Sequence, residues 1–400
     1  MGKTGLTSEQ SAFQEHARRW LGENKPPAPP MRLPLMAIEV MHEAQRDYLQ
    51  AWQRRCYEAE LVGTDVPREY GGWGREGCQR IANQEMSRAG TPFMINIVGL
   101  TMAVPTILVH GTESQKKLLI PGALTGEEIW CQGFSEPGAG SDMANQQTSA
   151  VRQGDDWLVN GHKVWTSLGH FAKWMILITR TSKEHKYDGL TYFVCPIEGH
   201  PGVSVRPLIK ITGETGFNEV LFEDVVIPDS MRLDDVGKGW TVAMTTLTYE
   251  RGAAEGAGGG GGGADPVQRL VALARQSWRD GVRASDDPVT RDALVQQAIV
   301  YEGLRMNMRR AKVPALNDHP MRLPLQSKLT SSEASQNAAR LGVEVAGLHS
   351  TLYKKDPKAP EAGHWPLAYL NSYGGTIAAG TNEIQRNILG ERVLGLPKSK

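Results

Sequence analysis

Two stretches of the chain bring together side chains that can bind and react. In residues 129–167 a glycine-rich turn, Glu136-Pro137-Gly138-Ala139-Gly140-Ser141-Asp142, leads towards Trp165-Thr166-Ser167. Short hydroxyls and one indole at the ends of apolar strands suit a flat, polar-edged ligand. The indole covers a ring face and the hydroxyls reach the edge atoms. The second stretch is Tyr249-Glu250-Arg251. On a helix over residues 240–254, Trp240, Ala243, Met244, Leu247 and Ala254 share one face, with Arg251 inside it and Glu250 at its edge. Adjacent helical residues point apart, so Glu250 and Arg251 cannot satisfy one another locally. A carboxylate held beside apolar surroundings is more basic than one in water and suits proton abstraction. The same pattern more often marks a long-range ion pair or a solvated edge position, and the residues by themselves leave these alternatives open.

These groups need elements to position them. Helical periodicity runs from Thr7 to about Gly126, with Ser8 as the expected cap of a first helix and a five-proline loop over residues 26–34. Further helices are expected over 37–60, 76–88, 102–109 and 114–119. The period then changes to two, and strands are expected over 129–135, 147–152, 157–159, 163–167, 175–180, 190–196, 203–209 and 219–228. Asn160-Gly161 reads as a two-residue hairpin turn. Eight short strands imply a barrel or sandwich. Helical pattern resumes after Pro228, clearest over 267–278, 294–309 and 325–347. Seven glycines in residues 256–263 satisfy the letters GxGxxG at Gly256, Gly258 and Gly261, but they follow a helix rather than a strand. They therefore read as a helix-terminating loop, not a dinucleotide fingerprint.

The bulk numbers exclude several classes. The 400 residues are 40% apolar and 22% charged, with 44 basic and 44 acidic side chains, so neither a nucleic acid nor a membrane surface is the expected partner. No apolar run approaches a membrane span, and the N-terminus lacks the apolar core of a signal peptide. The four cysteines, Cys56, Cys78, Cys131 and Cys195, form no CxxC pair. No metal site is expected, and the thiols read as reduced in a cytoplasmic protein.

Several motifs then carry a resemblance. They are Asp65-Val66-Pro67-Arg68-Glu69-Tyr70-Gly71-Gly72, His110-Gly111-Thr112-Glu113-Ser114-Gln115, the 129–167 segment, Val220-Leu221-Phe222-Glu223-Asp224-Val225-Val226-Ile227-Pro228, and Gly380-Thr381-Asn382-Glu383-Ile384-Gln385-Arg386-Asn387-Ile388. Together they resemble the acyl-CoA dehydrogenases over nearly the whole chain. The resemblance implies an α+β fold with an N-terminal helical domain (residues 1–125), a central β-barrel or sandwich domain (126–238) and a C-terminal four-helix-bundle domain (239–400). It implies FAD as cofactor and α,β-dehydrogenation of an acyl-CoA to a trans-2-enoyl-CoA. Electrons would pass to an electron-transfer flavoprotein, and the assembly would be a homodimer, a homotetramer or a heteromer.

The resemblance also assigns roles. Many members carry the catalytic carboxylate just before the Gly-Thr of the last motif, where this chain has Ala379. Others, of isovaleryl and long-chain type, carry it before an arginine in the first helix after the β domain, which here is Glu250 with Arg251. Phe134 and Ser135 match the strand edge that bonds the flavin ring, Trp165 the aromatic packed on it, and Ser167 the hydroxyl near flavin N5. Thr381 and Glu383 match cofactor contacts, Ser141 a contact to the CoA arm, and Ala379 a backbone donor to the thioester carbonyl.

Two family features are altered. The Arg-x-x-Phe-Gly stretch that reaches a neighbouring subunit's FAD has no Phe-Gly counterpart here, leaving Arg275 or Arg291 as its nearest equivalents. The adenine-side Gln-x-x-Gly-Gly becomes Glu344-Val345-Ala346-Gly347-Leu348. These departures keep two further readings open: a related flavin oxidase, and a subunit of a heteromeric enzyme with little activity alone.

Overall fold

A computed structural model describes residues 6–256, 265–279, 281–311, 313–354 and 356–398, without the side chains of 251–256. The glycine run lies outside the described residues beyond Gly256. Contacts divide the chain into two compact units, Met1–Gly262 and Gly263–Lys400.

The first unit opens with α1 (Ser8–Asn24), α2 (Glu43–Glu58), α3 (Cys78–Ala89), α4 (Val104–His110) and α5 (Glu113–Thr125). The first helix starts one residue earlier than Ser8 would cap it. The Thr7 hydroxyl accepts from the Gln10 N–H at 3.1 Å while Gln10 Oε1 accepts from the Thr7 N–H at 3.2 Å, a closed capping box. A π-helical turn, Gly99–Ala103, leads into α4.

Eight strands follow: β1 (Trp130–Gly133), β2 (Ser149–Gln153), β3 (Asp156–Ser167), β4 (Trp174–Arg180), β5 (Leu190–Pro196), β6 (Val203–Leu208), β7 (Phe217–Pro228) and β8 (Arg232–Leu233). They pair in the order β6-β7-β3-β2-β4-β5-β8, with β1 alongside β4. β4 and β5 are buried on both faces, which is why their sequences read as unbroken apolar runs. Alternation along β4 divides the core. Ile176 and Ile178 join a cluster with Ile107, Leu119 and Val242, whereas Met175 and Leu177 join one with Val159, Val220 and Ile227.

The expected turn at Asn160-Gly161 is not a turn. β3 continues through it, with a shift of register against β7 between Val159 and Gly161, and the β2–β3 hairpin closes at Gly154-Asp155, with Gln153 opposite Asp156. Asn160 instead bonds across to β7, donating to Asp224 Oδ1 at 2.9 Å and accepting from the Asp224 N–H at 2.8 Å. Gly161 lacks a side chain for packing reasons, since a Cβ there would overlap Thr148.

Helix α6 (Gly239–Gly256) closes the first unit. Trp240, Val242, Ala243 and Leu247 belong to the cluster built with α4, α5 and β4. The second unit holds α7 (Pro266–Gln276), a two-stranded ribbon of β9 (Trp278–Arg279) and β10 (Val282–Arg283), α8 (Pro288–Ala311), α9 (Arg322–Ala346), α10 (His364–Ile377) and α11 (Asn382–Ile388). α9 is its centre and packs against α7, α8 and α10. Trp365 of α10 fits against Gly342 of α9, with Leu270, Leu273, Leu341 and Val345 around it. Among the described residues no helix is long and apolar enough to cross a membrane. All four cysteines are buried free thiols.

Candidate active site

The site in the first unit is built where β1 ends, β3 bulges and α6 passes. Phe134 is 5% exposed, its side chain turned into the core and meeting the Tyr192 ring edge-on at 5.9 Å. Its carbonyl accepts from Lys163 Nζ at 3.3 Å. The next carbonyl, Ser135, accepts from the Val164 N–H at 2.9 Å, stitching the end of β1 to β3. No described group accepts from the Ser135 N–H or hydroxyl, so both remain available to a ligand.

β3 changes register against β7 between Lys163 and Thr166. The bulge carries Trp165 at φ 60, in the left-handed region that a bulky side chain avoids. It turns the indole outward, 59% exposed, with the Phe217 ring edge-on beside it at 5.9 Å. A large apolar ring held outward by a strained backbone is a surface prepared for something flat. Just after it, Thr166 is fully buried, its Oγ1 without a partner among the described residues, and Ser167 is half-buried. The exposed ring and the donors beside it fit a flavin-type cofactor, in which a planar ring has polar edge atoms.

Beneath the glycine-rich turn lies an ion pair that the sequence pattern did not reveal. Lys163 Nζ bonds Glu136 Oε1 at 2.8 Å and also reaches Gln146 Oε1, with the lysine side chain fully buried and the glutamate 4% exposed. Glu136 accepts from the Gln147 and Thr148 N–H groups at 2.7 and 2.9 Å, and so closes the base of the loop that carries Ser141. Burial lowers the Lys163 ammonium to about 8, against the pull of Glu136. Burial would raise the Glu136 carboxyl, but the ammonium and the bonds it accepts hold it below its ordinary value. A lysine on an otherwise alternating strand gave no signal of this. The only hint was its placement on the apolar side of β3, two residues before the tryptophan.

Glu250 is half-buried on α6. One helical turn before it, the buried Thr246 hydroxyl bonds Thr106 at 2.9 Å and the Tyr192 hydroxyl at 3.0 Å. Burial raises the Tyr192 phenol well above its usual range, and the negative charge of Glu250 adds to it. Tyr192 thus bridges α6, through Thr246, and the Phe134 strand end. The side chain of Arg251 lies outside the described residues. Ser141 is exposed at the tip of its turn, where Asp142 pairs with Lys186 at 2.9 Å.

Ala379, Thr381 and Glu383 belong to the second unit. Ala379 is exposed at φ 54, and its N–H has no acceptor among the described residues. The adjoining Gly380 carbonyl is held by Lys328 Nζ at 2.7 Å, and the Ala379 carbonyl by Gln385 Nε2 at 3.0 Å. Thr381 caps α11, its hydroxyl accepting from the Ile384 N–H at 3.2 Å, while Glu383 is exposed. Arg275 lies in the last turn of α7. Arg291 donates to the Ser285 carbonyl at 3.4 Å, and Glu344 pairs with Arg340 at 2.8 Å.

A helical–β–helical chain with a strained outward indole, donors without a described acceptor on the adjoining strand end and a half-buried carboxylate on α6 fits a flavoprotein dehydrogenase. The N-terminal, middle and C-terminal domains of acyl-CoA dehydrogenase match residues 7–127, 131–225 and 237–394. The chain is 37% identical over 393 residues to the acyl-CoA dehydrogenase IpdE1 of Mycobacterium tuberculosis, covering 96% of this chain and 97% of that protein. Among solved structures it resembles the Tcur3481-Tcur3483 steroid ACAD (27% identity, 99% of each chain, TM-score 0.81). It also resembles the ChsE4-ChsE5 complex of Mycobacterium tuberculosis (26% identity, 100% of each chain, TM-score 0.77). The chain belongs to the acyl-CoA dehydrogenase family and is an oxidoreductase that dehydrogenates acyl-CoA.

Proposed function

We propose that Glu250 takes the α-proton of the bound acyl-CoA and that the β-hydrogen leaves with its electron pair, giving a trans-2-enoyl-CoA. FAD, when bound, supplies the two-electron acceptor for that hydrogen. The observation that supports this reading is the link from α6 through the Thr246–Tyr192 hydroxyl bond to the Phe134 ring, which ties the helix bearing Glu250 to the strand end whose Ser135 carbonyl meets Val164 of β3. Ser135 would donate to the flavin edge through its N–H and hydroxyl, Ser167 through its hydroxyl, and Trp165 would cover the ring. Ser141 would meet the CoA arm. A carboxylate is absent from position 379. By resemblance the Ala379 N–H, for which no described group is an acceptor, would polarise the thioester carbonyl, which develops negative charge as the α-proton departs. Thr381 and Glu383 are assigned cofactor contacts by resemblance alone. Reduced cofactor would be reoxidised by an electron-transfer flavoprotein in a cytoplasmic setting that suits four buried thiols.

Two structural relatives are named as two-protein enzymes, and one of them as a steroid enzyme. These names support a heteromeric assembly with a sister chain and a bulky polycyclic acyl group, over a homo-oligomer acting on straight chains. Anaerobic mixing with straight-chain, branched and steroid-side-chain CoA esters tests the reaction, with bleaching of the flavin absorbance as the readout. Glu250→Gln should lower the bleaching rate roughly 10²–10⁴-fold while leaving FAD bound. Near-normal bleaching would remove Glu250 from the role, and rapid peroxide formation in air would favour the oxidase reading.

A further inference from the structure

The buried Lys163–Glu136 pair lies directly behind the Phe134–Ser135 peptide. Lys163 Nζ donates to the Phe134 carbonyl at 3.3 Å as well as to Glu136 and Gln146, with no exposed surface of its own. Among the described residues no peptide bond is cis. In a trans peptide the carbonyl oxygen and the following N–H point in opposite directions. Because the Phe134 oxygen is drawn inward to the ammonium, the Ser135 N–H faces the other way, towards the open side, where no described group accepts from it. An ammonium on the oxygen of a peptide also polarises that peptide and makes its N–H a stronger donor in a low-dielectric setting.

The partners of Lys163 explain why this charge is kept inside. A lone buried ammonium would be lost to deprotonation or local unfolding, but Glu136 offsets it and spends its remaining lone pairs on the Gln147 and Thr148 N–H groups. The same lysine is two residues from Trp165 and four from Ser167 on β3. One side chain therefore braces both arms of the cofactor surface.

We infer that Lys163 is a positioning residue that aims and polarises the Ser135 N–H towards the flavin edge, and so stabilises reduced FAD more than oxidised FAD. The inference rests on the assignment of Ser135 and Trp165 as flavin contacts. A reduced flavin carries more electron density at its edge acceptors, so a polarised donor gains more from it. Glu136 sustains the effect, because its counter-charge keeps the buried ammonium protonated while Nζ also reaches the Phe134 oxygen.

The test is the flavin midpoint potential of purified holoprotein, measured by titration against redox dyes, together with the dissociation constant for oxidised FAD. Glu136→Gln/Lys163→Met removes both charges and leaves no unpaired ion behind. It should weaken reduced FAD ~10-fold more than oxidised FAD, a fall of about 30 mV for a two-electron couple. A folded double variant with the wild-type potential would overturn the inference. Where that variant fails to fold, Glu136→Gln alone decides. It leaves the buried ammonium without its counter-charge, so the lysine gives up its proton and its hold on the Phe134 carbonyl weakens; the potential should fall, and a rise or no change would overturn the inference. Trp165→Ala separates this from the cofactor assignment itself. If that variant binds FAD like the wild type, the assignment of the surface fails. If it loses affinity while the Lys163 variants keep their potential, only the inference fails.

Discussion

Replacing Trp165 by alanine and by glycine removes the same ring and differs only in backbone freedom. The ring is 59% exposed and its aromatic neighbour is Phe217 at 5.9 Å, an edge-on contact that contributes ~0.5–1.5 kcal/mol and is lost in both variants. At φ 60 alanine keeps a left-handed strain of ~1–2 kcal/mol that glycine lacks. Glycine's looser unfolded chain offsets ~0.5–1 kcal/mol of that advantage. About 0.5–1 kcal/mol remains in favour of glycine, so the glycine variant without cofactor should melt roughly 1–4 °C above the alanine variant. Both should bind FAD more weakly by the ~1–3 kcal/mol of one stacked face, roughly 5- to 150-fold. Differential scanning fluorimetry of the cofactor-free protein and quenching of FAD fluorescence on titration read the two effects separately. Alanine melting at or above glycine would refute the strain at the bulge. Unchanged FAD affinity in both would refute the indole as the cofactor's platform.

Asp229 accepts from Arg232 at 2.8 and 3.1 Å and from Trp157 Nε1 at 2.7 Å, and the Arg232 bonds, then that of Trp157, hold its carboxyl at about 2. Its contribution to stability is complete above the ordinary value of 3.8 and is lost as the pH falls towards 2. Asp229→Asn should therefore lower the melting temperature at pH 7 and flatten the decline between pH 4 and 2; a pH–melting curve parallel to wild type would contradict this. In the second unit, Gly342→Ala would drive a methyl into the Trp365 ring and cost ~1–3 kcal/mol, seen as an earlier denaturation midpoint in urea; an unchanged midpoint would show that Trp365 can move aside.

The order of helical and β segments was legible because period and composition change sharply near residues 129 and 228, and the apolar runs of β4 and β5 could only be interior strands. Asn160-Gly161 misled because the dipeptide favours a turn, whereas here the asparagine serves a cross-strand bond and the glycine a close approach. Both uses depend on residues far away in sequence, Asp224 in one case and Thr148 in the other. Ser8 and Thr7 are alike as caps, and only the reciprocal bond with Gln10 chooses between them.

By itself the sequence determined which chemical groups are present, that a carboxylate stands at 250 and not at 379, and that an indole and hydroxyls lie near strand ends. Those are properties of residue type and local period, and they persist in any compact arrangement. Only the tertiary structure decided that the β3 bulge turns Trp165 outward, that Tyr192 links Thr246 of α6 to Phe134, and that Lys163 is buried against Glu136. Each depends on strands and a helix that are distant in the chain packing into one interior, where losing water makes an unpaired charge or donor costly and so selects its partners.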